Sequence, residues 1–327
     1  MNPIFRVNLG PIKLNQITDL ISAETAGIEQ DKEFNYLLGL GDVQNIDDSI
    51  LFVYENYKQK INLPKKSILL ISNKEKNKFS EYKYLILVDN VHEAVAKLSS
   101  LFYRDINDSD DKFLNNSYIG NNSLVSNKAV LKKGVIIGKN VIIKDGVVIN
   151  NNCILGDNCF IEENAVISNS IIGNNVRVGR NTSIGQEGFG FSINSFCNYK
   201  IYHLGRVILQ DNVSIGSNCC IDRGSFGDTI IGENTFFDNL CHIAHNVVVG
   251  SNCVFAAMTG IAGSSIIGDS VMGGGQVGIA GHLNIGNKVS IAAKSAVLQD
   301  IGNNRSVMGN PAVDKYKYIR RYKKFYG

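Results

Sequence analysis

Leu131-Lys-Lys-Gly-Val-Ile-Ile-Gly-Lys-Asn-Val-Ile-Ile-Lys-Asp-Gly-Val-Val-Ile149 carries an aliphatic residue at every sixth position. In both directions the same step gives Ile119, Val125, Leu131, Ile137, Ile143, Ile149, Leu155, Ile161 and Ile167. The register slips by one to Ile172, Val178 and Ile184, breaks, and resumes at Leu209, Ile215 and Ile221. After a short insertion it runs Ile231, Phe237, Ile243, Val249, Phe255, Ile261, Ile267, Gly273, Ile279, Ile285, Ile291 and Val297. In that last run only Gly273 interrupts the large apolar residues. A sustained period of six is a hexapeptide repeat, and it predicts a parallel β-helix.

The other positions of each hexad agree. Three residues after the aliphatic one stands Asn or Gly, as in Asn122, Gly134, Asn140, Gly146, Asn152, Asn158, Asn164, Asn175, Asn181 and Asn218. These residues tolerate the left-handed backbone that a sharp corner demands. The next position is small because it points into a narrow interior: Ser123, Ala129, Cys153, Cys159, Ala165 and Thr182. Three hexads, about 18 residues, close one triangular coil, and neighbouring coils stack about 4.8 Å apart. The same slot takes Cys219, Cys241 and Cys253, so five of the cysteines read as core packing rather than metal ligands or nucleophiles. Cys197 and Cys220 fall outside the slot without a partner at ligand spacing, so no metal site is expected. Gly273-Gly-Gly-Gln-Val-Gly278 matches a dinucleotide-binding fingerprint but lies within hexads, with no βαβ unit around it.

Residues 1–105 lack the repeat and read as a small α/β domain. Ile50-Leu-Phe-Val53, Ser67-Ile-Leu-Leu-Ile71 and Tyr84-Leu-Ile-Leu-Val88 suit short strands. Val91 to Phe102 has helical spacing, with His92 off the apolar face and expected in solvent. Residues 106–117 are polar and acidic, a linker; 118–302 hold the repeat; 303–327 form a basic tail expected to be helical. The net charge of +3 is uneven: the thirteen residues from Lys315 to Gly327 hold six Lys or Arg and no acid, leaving −3 for the rest. The start of the chain, Met1-Asn-Pro-Ile-Phe-Arg-Val-Asn-Leu-Gly10, has no signal-peptide pattern, and no apolar run is long enough for a membrane span. Seven cysteines, an odd number without paired spacing, suit reduced thiols and a cytoplasmic location.

Insertions in a solenoid become loops on one face and commonly carry function. Two stand out, at about 186–206 and 222–228, and the repeat that follows reads Phe237-Asp-Asn-Leu-Cys-His-Ile-Ala-His-Asn246. His245 stands two residues after Ile243 and His282 three after Ile279, reference positions 36 residues or two coils apart. The register therefore predicts both histidines at one corner of the prism, about 10 Å apart along its axis. Two outward histidines stacked at one corner, in a chain with only five, is a functional signal.

Gln186-Glu-Gly-Phe-Gly-Phe191, Lys200-Ile-Tyr-His-Leu-Gly-Arg-Val207, Ile221-Asp-Arg-Gly224, Asp238-Asn-Leu-Cys-His-Ile-Ala-His-Asn246, Gly260-Ile-Ala-Gly-Ser264 and Gly275-Gln-Val-Gly-Ile-Ala-Gly-His282 occur in that order. In order and spacing they resemble the UDP-3-O-(3-hydroxyacyl)glucosamine N-acyltransferases of lipid A biosynthesis, nearly throughout the chain and including Gly309-Asn-Pro-Ala312. The resemblance implies a mainly β protein. Its left-handed parallel β-helix would follow a small α/β uridine-nucleotide-binding domain, and active sites would lie between the helices of a homotrimer. It implies transfer of a 3-hydroxyacyl group from acyl carrier protein to the 2-amino group of a UDP-glucosamine-type substrate, without a cofactor. His245 matches the family's general base, His282 its second histidine, and Gly263 its oxyanion site. Asp238, Asn239 and Asn246 would orient the base or contact the sugar, and His242 would be a wall residue. The uracil-stacking segment matches imperfectly in Phe52-Val-Tyr-Glu-Asn-Tyr57; Phe52 and Tyr57 are the candidates, with Tyr54 able to replace either.

The basic, aromatic tail suits docking of the acidic carrier protein better than nucleic acid, and equally suits packing of its tyrosines on a neighbouring subunit. Two other enzyme readings share the scaffold: a hexapeptide acyl- or acetyltransferase acting on another sugar nucleotide, and a zinc enzyme of the β-helical carbonic anhydrase type using His242, His245 and His282. A non-catalytic scaffold is the fourth reading.

Overall fold

A computed structural model describes residues 5–39, 48–55, 63–64, 66–106, 116–193, 198–309, 320 and 323–324. Tyr57, Cys197, residues 310–312 of the Gly309-Asn-Pro-Ala312 segment, most of the 106–117 linker and most of the basic tail lie outside the described residues.

Among the described residues the repeat forms three parallel sheets of nine, ten and nine strands, most of them two residues long. Each strand pairs with the one a full coil away: Ile136–Ile137 with Ile154–Leu155, and Ile142–Ile143 with Phe160–Ile161. In each pair the second residue is buried and the first faces outward, because side chains alternate along even the shortest strand. Ile137, Ile149, Ile161, Ile167, Val178, Ile184, Ile221, Ile243 and Ile261 are fully buried and belong to one continuous core. Cys153, Cys159, Cys219, Cys241 and Cys253 are all buried, as the small inward slot requires, whereas Cys220 is exposed. A last strand, Ser306–Val307, continues beyond position 302 and pairs with Ser290–Ile291.

Every corner named from the sequence turns through positive φ, from +55° at Asn140 to +75° at Gly134. Asn side chains at successive corners also bond along the axis, Asn140 Nδ2 to Asn158 Oδ1 at 3.1 Å for example. Toward the C-terminal end the same turn is taken by Leu240, Met258, Lys288 and Lys294. Stacking between coils there offsets a local strain of about 1–2 kcal/mol per residue. The lone interruption at Gly273 has a packing cause. Phe237 and Phe255 stack inside the prism with centroids 4.9 Å apart and planes 8° from parallel. A Cβ at position 273 would lie 2.4 Å from Phe255 Cδ1, so two large rings in successive coils leave no room for a side chain in the third.

The N-terminal part has a five-stranded sheet, ordered Glu24–Ala26, Tyr84–Val88, Ile68–Ser72, Ser49–Phe52, Tyr36–Gly39, with only the first pair antiparallel. Helices α1 (Leu14–Ile21) and α2 (Val91–Phe102) bury their apolar faces on one side of it, and Asn90 caps α2 by accepting from Glu93 N–H. That core also takes Ile201, Leu204 and Phe226 from the two solenoid insertions. The insertions thus anchor the N-terminal unit against the β-helix. The longer insertion is itself a hairpin, with Phe191–Ile193 antiparallel to Asn198–Lys200.

Candidate active site

His242–Ile243 is a strand of the third sheet, and the chain turns the corner immediately after it. His245 is the last residue before the left-handed Asn246, and neighbouring coils place Gly263 and Ser264 beneath the pair. Ser264 N–H donates to His245 O at 2.9 Å, and His282 N–H to Gly263 O at 3.0 Å. His245 and His282 therefore share one corner across two coils, as the register predicts. His282 is exposed, and its φ of +60° belongs to the turn, as at Lys288 and Met258.

The tautomer of His245 is fixed by its neighbour. Asn246 Oδ1 accepts from the Ser225 backbone N–H at 2.9 Å and from the Ser225 hydroxyl at 2.7 Å. An atom that accepts from a backbone N–H must be the amide oxygen, so the His245 Nδ1 lying 3.1 Å away must be the donor. The Nε2 lone pair is left free, the requirement for a base. Gly263 lies against the same ring: a Cβ there would be 2.8 Å from both His245 Cε1 and Nε2. Among the described residues the Gly263 N–H has no acceptor.

The insertion brings in a histidine that spacing did not single out. His203 is buried, stands edge-to-face with His245 at a centroid distance of 5.1 Å, and donates from Nδ1 to Ile201 O at 3.0 Å. Its Nε2 is buried without a partner among the described residues. Burial, reinforced by the nearby His245, lowers its pKa to about 4, so it is neutral at ordinary pH. Asp222, also buried, accepts from Gln186 Nε2 at 2.7 Å and lies 3.6 Å from His242 Nε2. Burial raises its pKa, opposed by the charge of His242 and the Gln186 bond.

From His245 an apolar groove of about 640 Å³ runs along the third sheet. Its floor is made of outward positions that carry little or no side chain: Gly260, Gly278 and Ala296, flanked by Ala262 and Ala280. Cβ atoms at Gly260 or Gly278 would meet nothing within 4 Å. Three coil spacings separate His242 from Ala296, about 14 Å. His242, exposed, forms a wall of this groove.

Other expected site residues have different surroundings. Asp238 and Asn239 are close to His245 in sequence, but follow the Phe236–Phe237 strand of the second sheet and occupy a different corner of the prism. Their bonds are local: Asn239 N–H to Asp238 Oδ1 at 2.7 Å and Ser217 N–H to Asn239 Oδ1 at 2.7 Å. Phe52, expected as a ring platform, is 5% exposed, wedged edge-on to Phe226 at 4.7 Å and tilted against Tyr54 at 5.1 Å. Tyr54, half-buried, stacks on the exposed His92 with ring centroids 4.0 Å apart and planes 7° from parallel. Desolvation lowers the His92 pKa, Glu55 opposes the shift and His282 adds to it. Among the described residues no group of three or more His, Cys, Asp or Glu is arranged to hold a metal ion, and no helix is long and apolar enough to cross a membrane.

Comparison with known proteins agrees with this fold. Residues 113–224 match the GMPPB C-terminal domain family, and residues 228–263 match the bacterial transferase hexapeptide (six repeats) family. A UDP-3-O-acylglucosamine N-acyltransferase of Caulobacter vibrioides is 55% identical over 62 residues, 19% of this chain and 18% of that protein. One of Methylobacterium nodulans, with the same name, is 57% identical over 63 residues, again 19% and 18%. These matches span less than a fifth of either relative. In solved structures, a UDP-N-acetylglucosamine acyltransferase from Campylobacter jejuni superposes with a TM-score of 0.51 at 26% identity, covering 62% of this chain and 82% of that one. The chain is thus a hexapeptide-repeat β-solenoid that resembles the UDP-3-O-acylglucosamine N-acyltransferases in sequence and a UDP-N-acetylglucosamine acyltransferase in fold.

Proposed function

We propose that this protein is an N-acyltransferase of lipid A synthesis, moving a 3-hydroxyacyl group from acyl carrier protein to the 2-amino group of UDP-3-O-(3-hydroxyacyl)glucosamine. One observation carries the reading: a histidine locked in the Nδ1–H tautomer stands at the head of an apolar groove floored by glycine and alanine. The groove takes an acyl chain, and its head takes the thioester. As the amine attacks the thioester carbonyl, its proton passes to His245 Nε2, the tetrahedral intermediate collapses, and the carrier thiolate leaves. The amine is a good nucleophile and the thiolate a good leaving group, so direct transfer suffices without an acyl-enzyme. The free N–H of Gly263, beside the base, is the donor for the developing oxyanion. Asn246 holds the base, and His282, two coils along, contacts substrate.

Assembly as a homotrimer is part of this reading. The second sheet presents outward Phe236, Val254 and Met272, with Leu240 and Met258 at its corner, all between 47% and 58% exposed. A continuous apolar column of this kind suits burial against a neighbouring copy. Such packing would return the displaced Asp238 and Asn239 to an active site, that of the adjacent subunit. In the N-terminal unit, Tyr54 with His92 supplies the aromatic surface for uracil. The carrier protein is proposed as donor, and a cytoplasmic location follows from that donor.

The test is turnover of purified protein with 3-hydroxyacyl carrier proteins of several chain lengths and UDP-3-O-(3-hydroxyacyl)glucosamine, alongside His245→Ala. A general base contributes about 10²–10⁴-fold, so the variant should lose at least a hundredfold in kcat while keeping its oligomeric state. Equal turnover with acetyl-CoA, or an undiminished His245→Ala, would exclude the assignment.

A further inference from the structure

Phe189 is the most exposed large apolar side chain of the described residues, at 86%. It stands in the 186–206 insertion, on the rim of the groove headed by His242 and His245. Leaving an aromatic ring in water forfeits the gain of its burial, so its placement calls for an occupant. Its position is also imposed. The flanking glycines pass so close to the histidines that neither has room for a side chain. A Cβ at Gly190 would lie 2.6 Å from His203 Cε1, and one at Gly188 would lie 3.0 Å from both His203 Nε2 and His245 Cβ. The buried His203, held by its bond to Ile201 O, is thus the platform over which Gly188-Phe189-Gly190 crosses. Phe191 braces Phe189 edge-on at 5.0 Å.

We propose that Phe189 is a specificity-determining residue for the acyl donor: its ring covers the thioester-proximal part of the chain lying in the groove. The proposal rests on the acyltransferase reading and deepens it. The groove floor opposite Phe189 carries almost no side chain, so a bound chain has an apolar wall below and needs one above. Phe189 supplies the upper wall next to the base and keeps water from the thioester. His203 acts through it as a positioning residue.

Because the ring is exposed, its removal should leave folding intact, which makes the test clean. The probe is a carrier protein whose 3-hydroxyacyl thioester is replaced by an amide, so that binding is read without turnover. Phe189→Ala should raise Kd for this probe about tenfold, the scale of one lost aromatic contact. Phe189→Leu should raise it less. KM for the acyl donor should rise in step, with KM for the UDP-sugar and the melting temperature unchanged. Gly190→Ala, which displaces the loop from His203 with Phe189 intact, should reproduce the loss. An unchanged Kd in Phe189→Ala overturns the proposal, as does a change confined to the UDP-sugar or one explained by an altered oligomeric state. If wild-type protein binds the probe with this Phe189 dependence but transfers no acyl group, the function is wrong and the contact stands. If wild-type protein does not bind the probe, the contact is wrong.

Discussion

At the scale of single residues, the candidate site contains two histidines held in opposite circumstances. His245 is half-buried, with Nδ1–H bound and Nε2 open. His203 is buried and kept neutral, its pKa lowered to about 4. The latter makes a prediction about stability. Between pH 6.5, the ordinary histidine value, and pH 4 the unfolded chain holds a proton that the folded chain does not. Stability therefore falls as pH drops through that window and levels off below it, by about 3 kcal/mol in total. Denaturant titrations at pH 7 and pH 5 should show His203→Gln losing less stability on acidification than wild type. An equal loss in both would mean that His203 does not titrate as its burial requires.

At the scale of the coil, an inward position can be decided by a neighbour 18 residues away. Gly273 is not a glycine for the sake of its backbone, since its φ is not in the left-handed region. It is a glycine because Phe255 occupies its side-chain volume. Gly273→Leu should therefore cost about 1–3 kcal/mol through overpacking. Pairing it with Phe255→Leu should recover much of that loss, a coupling that a double-mutant cycle of melting transitions measures. Additive effects would show that the ring and the glycine are not in competition. The same reasoning separates the corners from the floor of the groove. Corners need positive φ, whereas Gly260 and Gly278 have open space and are small for what lies outside them.

At the scale of the whole molecule, the N-terminal unit and the β-helix are joined through Arg223. Its side chain is fully buried, donates from Nε to Gly205 O at 2.7 Å, and is paired with Asp105 at the end of the N-terminal unit. The carboxylate is 28% exposed and the guanidinium not at all. Removing the acid leaves an uncompensated buried cation, so Asp105→Ala should cost about 3–5 kcal/mol. Arg223→Met removes the charge that needs a partner and should cost less. Reversal of that order in denaturant melts would place the strain on the carboxylate instead. Since the 186–206 insertion also carries Phe189 and His203, loosening this junction should disturb the proposed donor site at a distance.

Much of this was legible in the sequence. A six-residue period is a local property, because each hexad repeats the same three demands: a large apolar residue inward, a small one after it, and a residue tolerant of positive φ between. That is why the sheets, the corners, the buried cysteines and the shared corner of His245 and His282 follow from counting. Helix α2 was equally readable from its apolar spacing. What spacing does not carry is contact between segments of different period. His203 and Phe189 lie in an insertion with no register, Asp222 at the edge of another, and His92 on the polar side of a helix. Only the folding of the insertions between the N-terminal unit and the solenoid brings Phe189, His203 and Asp222 beside His242 and His245. Nearness in sequence does not place Asp238 and Asn239 beside His245 of the same chain, because one hexad carries the chain to the next face of the prism. A short strand does not disclose which face is covered, and at Phe52 the cover is Phe226, more than a hundred residues away. The sequence determined the scaffold, since its rules repeat within each coil. Tertiary structure decided the composition of the site, which depends on packing between parts that share no repeat.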